Sequence, residues 1–200
     1  GGHVGAKAAE TLGRMGASVS LVELKRERRR ELEKSFRHLG VSCTVLAAEG
    51  GWEAELGEAD VLIGAVYRSG ARAPVLVSRR ILSQASRRKK KVIVDVAVDQ
   101  GGNIFGTHAS TYARPVYTDP WGNLRFAVAN MPALLGEKSV RELEKVTLDY
   151  TLALAEDMPS AFRKYPELKK GIQIWKGKLR SREVAAAHGL PVRLAEGTLR

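Results

Sequence analysis

Two acidic residues four positions apart, Asp95 and Asp99, lie where a buried apolar run meets a glycine-rich turn. Residues 92–98 have the length and the composition of a strand that is buried on both faces. Asp95 lies inside this predicted strand and therefore needs hydrogen-bond partners there. Asp99 lies at its end, where a carboxylate can exchange protons with a ligand or orient it. The residues alone also allow Asp99 to cap the glycine turn, and they favour this structural role.

A glycine turn at the start of the sequence is the second candidate site. Gly2 and Gly5, with His3 and Val4 between them, are spaced as in the back half of the dinucleotide fingerprint Gly-x-Gly-x-x-Gly. The apolar positions that follow predict a helix that ends near Gly16. Backbone N–H groups at such a helix start can hold a pyrophosphate. The half-motif is weak by itself, because glycines at this place also serve packing.

Glu23 closes the short apolar strand predicted over residues 19–22. An acid about 20 residues after a glycine turn and helix is typical of dinucleotide-binding folds, where it accepts hydrogen bonds from the adenosine ribose. Such an acid repels a 2′-phosphate, which favours NAD over NADP. The neighbouring cations Lys25, Arg26 and Arg28 weaken that prediction. Position alone leaves an exposed turn acid as an equal alternative.

The elements that must position these residues alternate between apolar strands and amphipathic helices. Further strands are predicted at 41–46, 61–66 and 92–98, and further helices at 27–39, 52–56 and 75–84. A hairpin is expected around residues 116–128, and only helices after residue 132, the longest ending near 157. The predicted fold is therefore α/β, a doubly wound parallel sheet of the Rossmann type over residues 1–135. An α-helical C-terminal segment, residues 136–200, is predicted to belong to a substrate domain.

The net charge of +11, from 33 basic and 22 acidic residues, raises the possibility of an anionic partner. The positive charge is concentrated at residues 25–30 and 87–91 without interleaved aromatic residues. We therefore interpret both runs as solvated helix ends and loops that attract an anionic cofactor, and we expect no nucleic-acid partner. The single cysteine, Cys43, and the lack of a long apolar run favour a cytoplasmic protein without a membrane partner. No histidine pair has metal-ligand spacing, so no metal site is predicted.

Five motifs come in the order found in bacterial alanine dehydrogenases, which the sequence resembles. They are the Gly-Gly-x-Val-Gly turn, residues 59–66, residues 70–74, the segment 94–102 with its Asp-Gln-Gly-Gly sequence, and the Val-Ala-Asn-Met-Pro segment 128–132. Residues 171–179 resemble the C-terminal segment of that family. The resemblance covers nearly the whole chain, and the Asp-Gln-Gly-Gly and Ala-Asn-Met-Pro motifs are specific in combination.

The resemblance implies reversible, NAD-dependent oxidative deamination of L-alanine to pyruvate and ammonium by a homo-oligomer, typically a hexamer. It makes Asp99 the catalytic aspartate. Cofactor contacts are implied for Gly2, His3, Val4, Gly5, Glu23, Arg28, Val66, Tyr67, Val96, Ala97, Val98, Asp99, Val128, Ala129, Asn130 and Met131. The sequence departs from the family at residues 87–91, at residues 134–138 and at His108, where some relatives carry a cofactor-contacting arginine.

The family's N-terminal domain, with a substrate-binding lysine and a catalytic histidine, has no counterpart in these 200 residues, nor has its first sheet strand. We therefore expect this chain to be the cofactor-binding part of a longer enzyme and to be inactive alone. One alternative is the NAD-binding subunit of a transhydrogenase, although such subunits resemble Ala-Glu-Ala-Gly-Gly and Thr-Asp-Leu-Pro at the two key motifs. Others are a reductase that joins pyruvate to an amino acid, and a basic nucleic-acid-binding protein on a degenerate Rossmann scaffold.

Overall fold

The computed structural model describes residues 1–190. The chain packs as two units, of which the first contains residues 1–68 and 72–129, and the second contains residues 69–71 and the chain from Asn130 onward. The boundary predicted after residue 135 stays a prediction. No helix within residues 1–190 is long and apolar enough to cross a membrane.

The first unit alternates helices with mostly parallel strands, which confirms the predicted α/β class. Its elements are α1 (His3–Arg14), β1 (Val19–Glu23), α2 (Arg26–His38), β2 (Cys43–Ala47), α3 (Trp52–Glu58), β3 (Val61–Gly64), α4 (Arg79–Arg88), β4 (Val92–Asp95), β5 (Val116–Thr118) and β6 (Leu124–Phe126). β1 and β2 form one parallel pair, in register from Val19 opposite Cys43 to Glu23 opposite Ala47. β3, β4, β6 and β5 form a second sheet in that order, and only the β5–β6 pair is antiparallel.

Two apolar clusters form the core of this unit. One lies around β1 and is built from Ala9, Leu21, Leu32, Phe36 and Val41. The other lies around β4 and is built from Leu56, Val77, Leu82, Ala85, Ile93 and Ile104. α2 contributes Leu32 and Phe36, four positions apart, and α4 contributes Leu82 and Ala85, three apart, so each of these helices buries one face. Among the described residues β1 and β3 do not pair, and the two sheets are separate.

Several element boundaries differ from the prediction, among them the end of β3 at Gly64 rather than at residue 66, and two of the differences have identifiable reasons. β4 ends at Asp95 rather than at residue 98, because the Asp95 carboxylate accepts hydrogen bonds from the amides of Ala97 and Asn103 and turns the chain. α4 begins at Arg79 rather than near residue 75, and the Ser78 hydroxyl caps it by accepting a hydrogen bond from the Ile81 amide. The residues just before α4 instead bond the backbone carbonyl of Asn103.

The second unit contains α5 (Glu137–Glu156), α6 (Met158–Lys164) and α7 (Arg182–His188), together with short 3₁₀ helices. The side chain of Asp157 caps α6 by accepting a hydrogen bond from the Ser160 amide at 2.8 Å. The prediction of helices alone after residue 132 was wrong at one place, since β7 (Ile174–Trp175) and β8 (Lys178–Leu179) form an antiparallel hairpin. Lys176 and Gly177 turn it with φ values of 49° and 71°, as a type I′ turn requires.

Candidate functional site

Several predicted site residues of the first unit lie at or just after the carboxyl ends of strands in its two sheets. Glu23 closes β1, Val66 and Tyr67 follow β3, residues 96–99 follow β4, and residues 128–129 follow β6. Ligands of doubly wound sheets bind outside these strand ends. These strand ends are therefore the candidate site, and the residues that lie there differ in their exposure to solvent.

The start of α1 leaves backbone N–H groups available. Gly2 precedes the helix in an extended conformation, and no side chain caps the helix. The first helical hydrogen bond is donated by Ala6 to the carbonyl of Gly2, so the amides of His3, Val4 and Gly5 have no partner within the helix. Three free amides at a positive helix end make a site for an anion.

Packing does not explain the two glycines of this turn. A Cβ added to Gly2 would meet no atom within 4 Å, and one added to Gly5 would make an ordinary contact of 3.7 Å with Ala65. The space that a side chain at Gly2 would occupy is open. This geometry favours a binding role for the turn over a purely structural one.

Glu23 carries a negative charge at neutral pH. Partial burial raises the pKa of its carboxyl, but hydrogen bonds, the strongest from the Lys25 amide at 2.8 Å, outweigh that effect, so the pKa lies below its usual value. The Arg28 side chain lies beside the same turn. Its Nε donates to the Gly1 carbonyl at 3.3 Å, and its Nη1 pairs with the Glu31 carboxylate. An ionised acceptor thus lies beside the helix start.

Arg29 is a contributor that the sequence analysis missed. Its guanidinium donates to the carbonyls of Glu23 and Leu24 at 3.0 and 2.7 Å and lies 3.7 Å from the Glu49 carboxylate. These hydrogen bonds fix the carboxyl end of β1, where Glu23 lies. Nothing in the basic run 25–30 distinguishes Arg29 from its neighbours, so no sequence signal identifies it.

The two aspartates of the glycine-rich segment have opposite surroundings. Asp95 is only 1% exposed and accepts hydrogen bonds from the amides of Asn103 and Ile104 and from the Thr107 hydroxyl, at 2.7–3.0 Å. Asp99 is exposed on the 3₁₀ turn Val98–Gln100, and no hydrogen bond or ion pair within residues 1–190 engages its carboxylate. Asp95 is therefore saturated by the fold, whereas Asp99 is free to meet a ligand.

The capping role considered for Asp99 is not what the turn uses. Gly101 donates to the carbonyl of Val98 at 2.9 Å, and Gly102 donates to the carbonyl of Ala97 at 3.0 Å. Both glycines have positive φ values, 96° and 84°, which only glycine adopts without strain. Backbone groups thus close the turn, and the Asp99 side chain remains available.

Val66 and Tyr67 lie past the end of β3 with exposed side chains. The backbone of Val66 is held by the side-chain amide of Asn103, which accepts from its N–H at 2.8 Å and donates to its carbonyl at 3.0 Å. Asn103 was not among the predicted site residues, although a side-chain amide directly after a glycine turn is a readable signal. The aromatic ring of Tyr67 is 73% exposed and offers an apolar face to a ligand.

The remaining predicted residues, 128–131, follow β6 and span the boundary between the two units. The Val128 side chain is buried and its backbone forms a parallel β-bridge with that of Ser110, while the Ala129 carbonyl accepts a hydrogen bond from the Tyr112 hydroxyl. Asn130, with φ of 54°, and Met131 start a 3₁₀ helix that belongs to the second unit. The predicted first-unit residues thus lie at strand ends and on α1 and α2, whereas Asn130 and Met131 belong to the other unit.

His108, noted as a departure from the family pattern, stacks on Tyr117 with ring centroids 3.9 Å apart. Its backbone amide donates to the Tyr117 hydroxyl at 3.1 Å, and that hydroxyl donates to the His108 carbonyl. The ring therefore has a partner on the protein itself.

Comparison with known proteins places this geometry in context. The family model described as "Alanine dehydrogenase/PNT, C-terminal domain" matches residues 1–182. The chain belongs to this family. An alanine dehydrogenase of Mycobacterium tuberculosis (strain CDC 1551 / Oshkosh) is 35% identical over 191 residues, which are 95% of this chain and 50% of that protein. An alanine dehydrogenase of Methanococcus maripaludis is 36% identical over 202 aligned positions, covering 100% of this chain and 52% of that protein.

Solved structures support the same assignment. An L-alanine dehydrogenase matches 94% of this chain and 51% of its own chain at 33% identity, with a TM-score of 0.78. A transhydrogenase from Sinorhizobium meliloti matches 73% of this chain and 42% of its own at 26% identity, with a TM-score of 0.56. The chain spans about half the length of the curated relatives it matches.

Proposed function

We propose that this chain is the cofactor-binding part of an NAD-dependent alanine dehydrogenase, which interconverts L-alanine with pyruvate and ammonium. One observation carries the proposal: the uncapped start of α1 lies beside the ionised Glu23 at the carboxyl end of β1, and the unengaged Asp99 lies just past the carboxyl end of β4. This is the place and the order in which a doubly wound sheet meets a dinucleotide.

The residues of the two-stranded part fit the adenosine end of NAD. The free amides of His3, Val4 and Gly5 would hold the pyrophosphate, because Gly2 leaves the approach open. Glu23 would accept hydrogen bonds from the ribose hydroxyls and repel a 2′-phosphate. Arg28 would flank the adenosine, with its guanidinium anchored on the Gly1 carbonyl.

The residues after β3 and β4 fit the reacting end. NAD, when bound, accepts the hydride that leaves the Cα of alanine. Asp99 would then hold the proton of the water that attacks the resulting iminium carbon, since its carboxylate is exposed and not engaged by the described chain. Val66 and Tyr67 would line the pocket and position the substrate carbon by excluding misaligned poses.

The transhydrogenase alternative is less well supported. The match to the L-alanine dehydrogenase covers more of this chain, at a higher TM-score, than the match to the transhydrogenase. The Asp-Gln pair at residues 99–100 also differs from the Glu-Ala pair that such subunits resemble. The proposal includes a homohexamer and a cytoplasmic location, both drawn from the resemblance and the composition.

Titration of the purified 200-residue chain with NADH, followed by its fluorescence, tests the proposal. We expect weak saturable binding that is preferred over NADPH, and no alanine-dependent reduction of NAD by the chain alone. Duplex DNA at the same ionic strength serves as the control for general attraction of anions by the net charge of +11. Binding of DNA without binding of NADH would reject the proposal, and sedimentation of the protein would test the hexamer.

A further inference from the structure

The chain that leaves β3 is held by two side-chain amides rather than by a neighbouring strand. Asn103 accepts a hydrogen bond from the Val66 amide at 2.8 Å and donates to the Val66 carbonyl at 3.0 Å. Gln100 accepts from the Arg68 amide at 3.2 Å and donates to the Arg68 carbonyl at 2.8 Å. Each amide therefore pairs with both backbone groups of one residue, as a strand residue does with its partner in a sheet.

The spacing of the two contacts gives the segment 66–68 a defined direction. In an extended chain, residues two apart present their N–H and C=O groups to the same side. Val66 and Arg68 meet this condition, and Tyr67 between them keeps its ring exposed. We define residues 66–68 as the gripped loop.

The gripping residues are themselves fixed to the turn that carries Asp99. Gln100 follows Asp99 directly, and its backbone carbonyl accepts a hydrogen bond from the Ala73 amide at 2.9 Å. Asn103 is 1% exposed, and its backbone N–H donates to both carboxylate oxygens of Asp95. The distance between the gripped loop and Asp99 is thus set by two short, rigid connections.

We propose that Gln100 and Asn103 are positioning residues that align the gripped loop with Asp99 for binding of the nicotinamide end of the cofactor. The inference rests on the proposed NAD function and deepens it. Neither side chain has to touch the cofactor, because each acts through the backbone of Val66 or Arg68. The effect is confined to one end of the ligand, since the proposed adenosine contacts lie at α1, β1 and α2.

Gln100 is the better position for a test. Asn103 is fully buried and donates to both Val66 and Pro74, so its removal would leave several buried groups unpaired. Gln100 is half-buried, and water can replace its side chain at the edge of the loop. The variant Gln100→Met keeps the length of the side chain and removes both hydrogen bonds to Arg68.

The experiment compares NADH with ADP, which carries the adenosine and the pyrophosphate but lacks the nicotinamide riboside. We expect Gln100→Met to weaken NADH binding by about three- to tenfold, the loss expected from one or two net hydrogen bonds. Its affinity for ADP should stay within about twofold of the unmodified chain. Hydrogen exchange of the Arg68 amide should become faster, because that amide loses its acceptor.

The matched control is Gln84→Met, the same chemical change on an exposed position of α4. It should leave both affinities and the exchange of Arg68 unchanged. Equal losses for NADH and ADP in Gln100→Met would overturn the inference, as would unchanged NADH affinity. If Gln100→Met does not fold, Gln100→Ala carries the same expectations. Failure of the unmodified chain to bind NADH would reject the proposed function itself, and it is seen before any variant is compared.

Discussion

The first unit contains two halves that handle polar groups in opposite ways. The two-stranded half, residues 1–47, keeps its charges near the surface. Arg28 pairs with Glu31 and bonds the Gly1 carbonyl, and Glu23 accepts a hydrogen bond from the Lys25 amide, all at exposed or partly exposed positions. The four-stranded half, residues 61–129, buries an ion pair between Asp119 and Arg125 at 3.0 Å, with both side chains almost fully enclosed. The charged groups of the two-stranded half are thus accessible to solvent, whereas the ion pair buried in the four-stranded half holds its structure.

The buried polar groups of the four-stranded half form one connected chain. Arg125 donates to Asp119, to the Thr107 hydroxyl at 3.1 Å and to the Phe105 carbonyl at 2.8 Å. Thr107 in turn donates to Asp95 at 2.7 Å, and Asp95 holds the Asn103 amide. This hydrogen-bonded network therefore stabilises the turn that carries Asp99. Interrupting it is costly, because an unpaired buried polar group is strongly destabilising. The difference between the halves predicts where substitutions act on stability and where they act on binding.

The largest effect is expected from Asp119→Ala in the four-stranded half. The substitution leaves the guanidinium of Arg125 buried without its carboxylate, and we expect the free energy of unfolding to fall by about 3–5 kcal/mol. Glu31→Ala breaks an ion pair of the two-stranded half that is open to solvent and should cost less than about 1 kcal/mol. Urea unfolding followed by circular dichroism measures both values. Equal losses in the two variants would mean that the halves do not differ in the way described.

A pair of glycine substitutions makes the same comparison through the backbone. Gly16 and Gly102 both have positive φ, at 88° and 84°. A Cβ at Gly16 meets no atom within 4 Å, so Gly16→Ala should cost about 1–2 kcal/mol from backbone strain alone. A Cβ at Gly102 would lie 2.7 Å from both Asp95 and Thr107, and Gly102→Ala should lose about 1–3 kcal/mol more because those atoms must move. Thermal unfolding separates the two, and a smaller loss at Gly102 would contradict the tight packing of its turn.

The sequence predicted the elements whose signals are local. The apolar positions of α5 recur with helical spacing, and the helix ends at Glu156, one residue before the expected position. Gly16 and Gly40 stop α1 and α2 as predicted, since a left-handed residue ends a helix regardless of its distant neighbours. The hairpin after β6 was not predictable in the same way, because β7 and β8 contain only two residues each and show no alternating pattern.

Contacts between residues far apart along the chain could not be predicted from the sequence. Asn103 grips Val66 across 37 positions, and neither residue type indicates that pairing. The run 87–91 was interpreted as solvated, yet Lys91 is buried and its ammonium donates to the carbonyls of Gly57 and Ala59, both at 3.0 Å. Burial lowers the pKa of Lys91, and the charge of Lys89 adds to that effect. Charge alone shows where a lysine can be solvated but not whether a helix end offers it carbonyl acceptors.

Acid should weaken the four-stranded half through Asp119. Burial raises the pKa of its carboxyl, but hydrogen bonds from Asn123 and Arg125 outweigh that effect, and the net pKa is lowered. A lowered folded pKa means that the stabilisation is present above the unfolded value of about 3.9 and is lost as pH falls through the folded value. The difference in unfolding free energy between the unmodified chain and Asp119→Asn should be constant from pH 7 to pH 5 and shrink towards pH 2. A difference that changes near neutrality would assign the titration to another group.

The smallest expected effect belongs to the two-stranded half and concerns binding rather than stability. Glu23→Gln keeps one acceptor for a ribose hydroxyl but removes the negative charge, so NADH affinity should fall by about three- to tenfold while the unfolding free energy changes by less than about 1 kcal/mol. The affinity for NADPH should rise relative to NADH, because the carboxylate no longer repels the 2′-phosphate and Lys25 and Arg28 are close by. Arg28 is already bonded to the Gly1 carbonyl and to Glu31, so the gain for NADPH should stay modest. Fluorescence titrations with both cofactors give the ratio, and an unchanged ratio would remove Glu23 from the adenosine site while leaving the free amides of α1 as the anchor of the pyrophosphate.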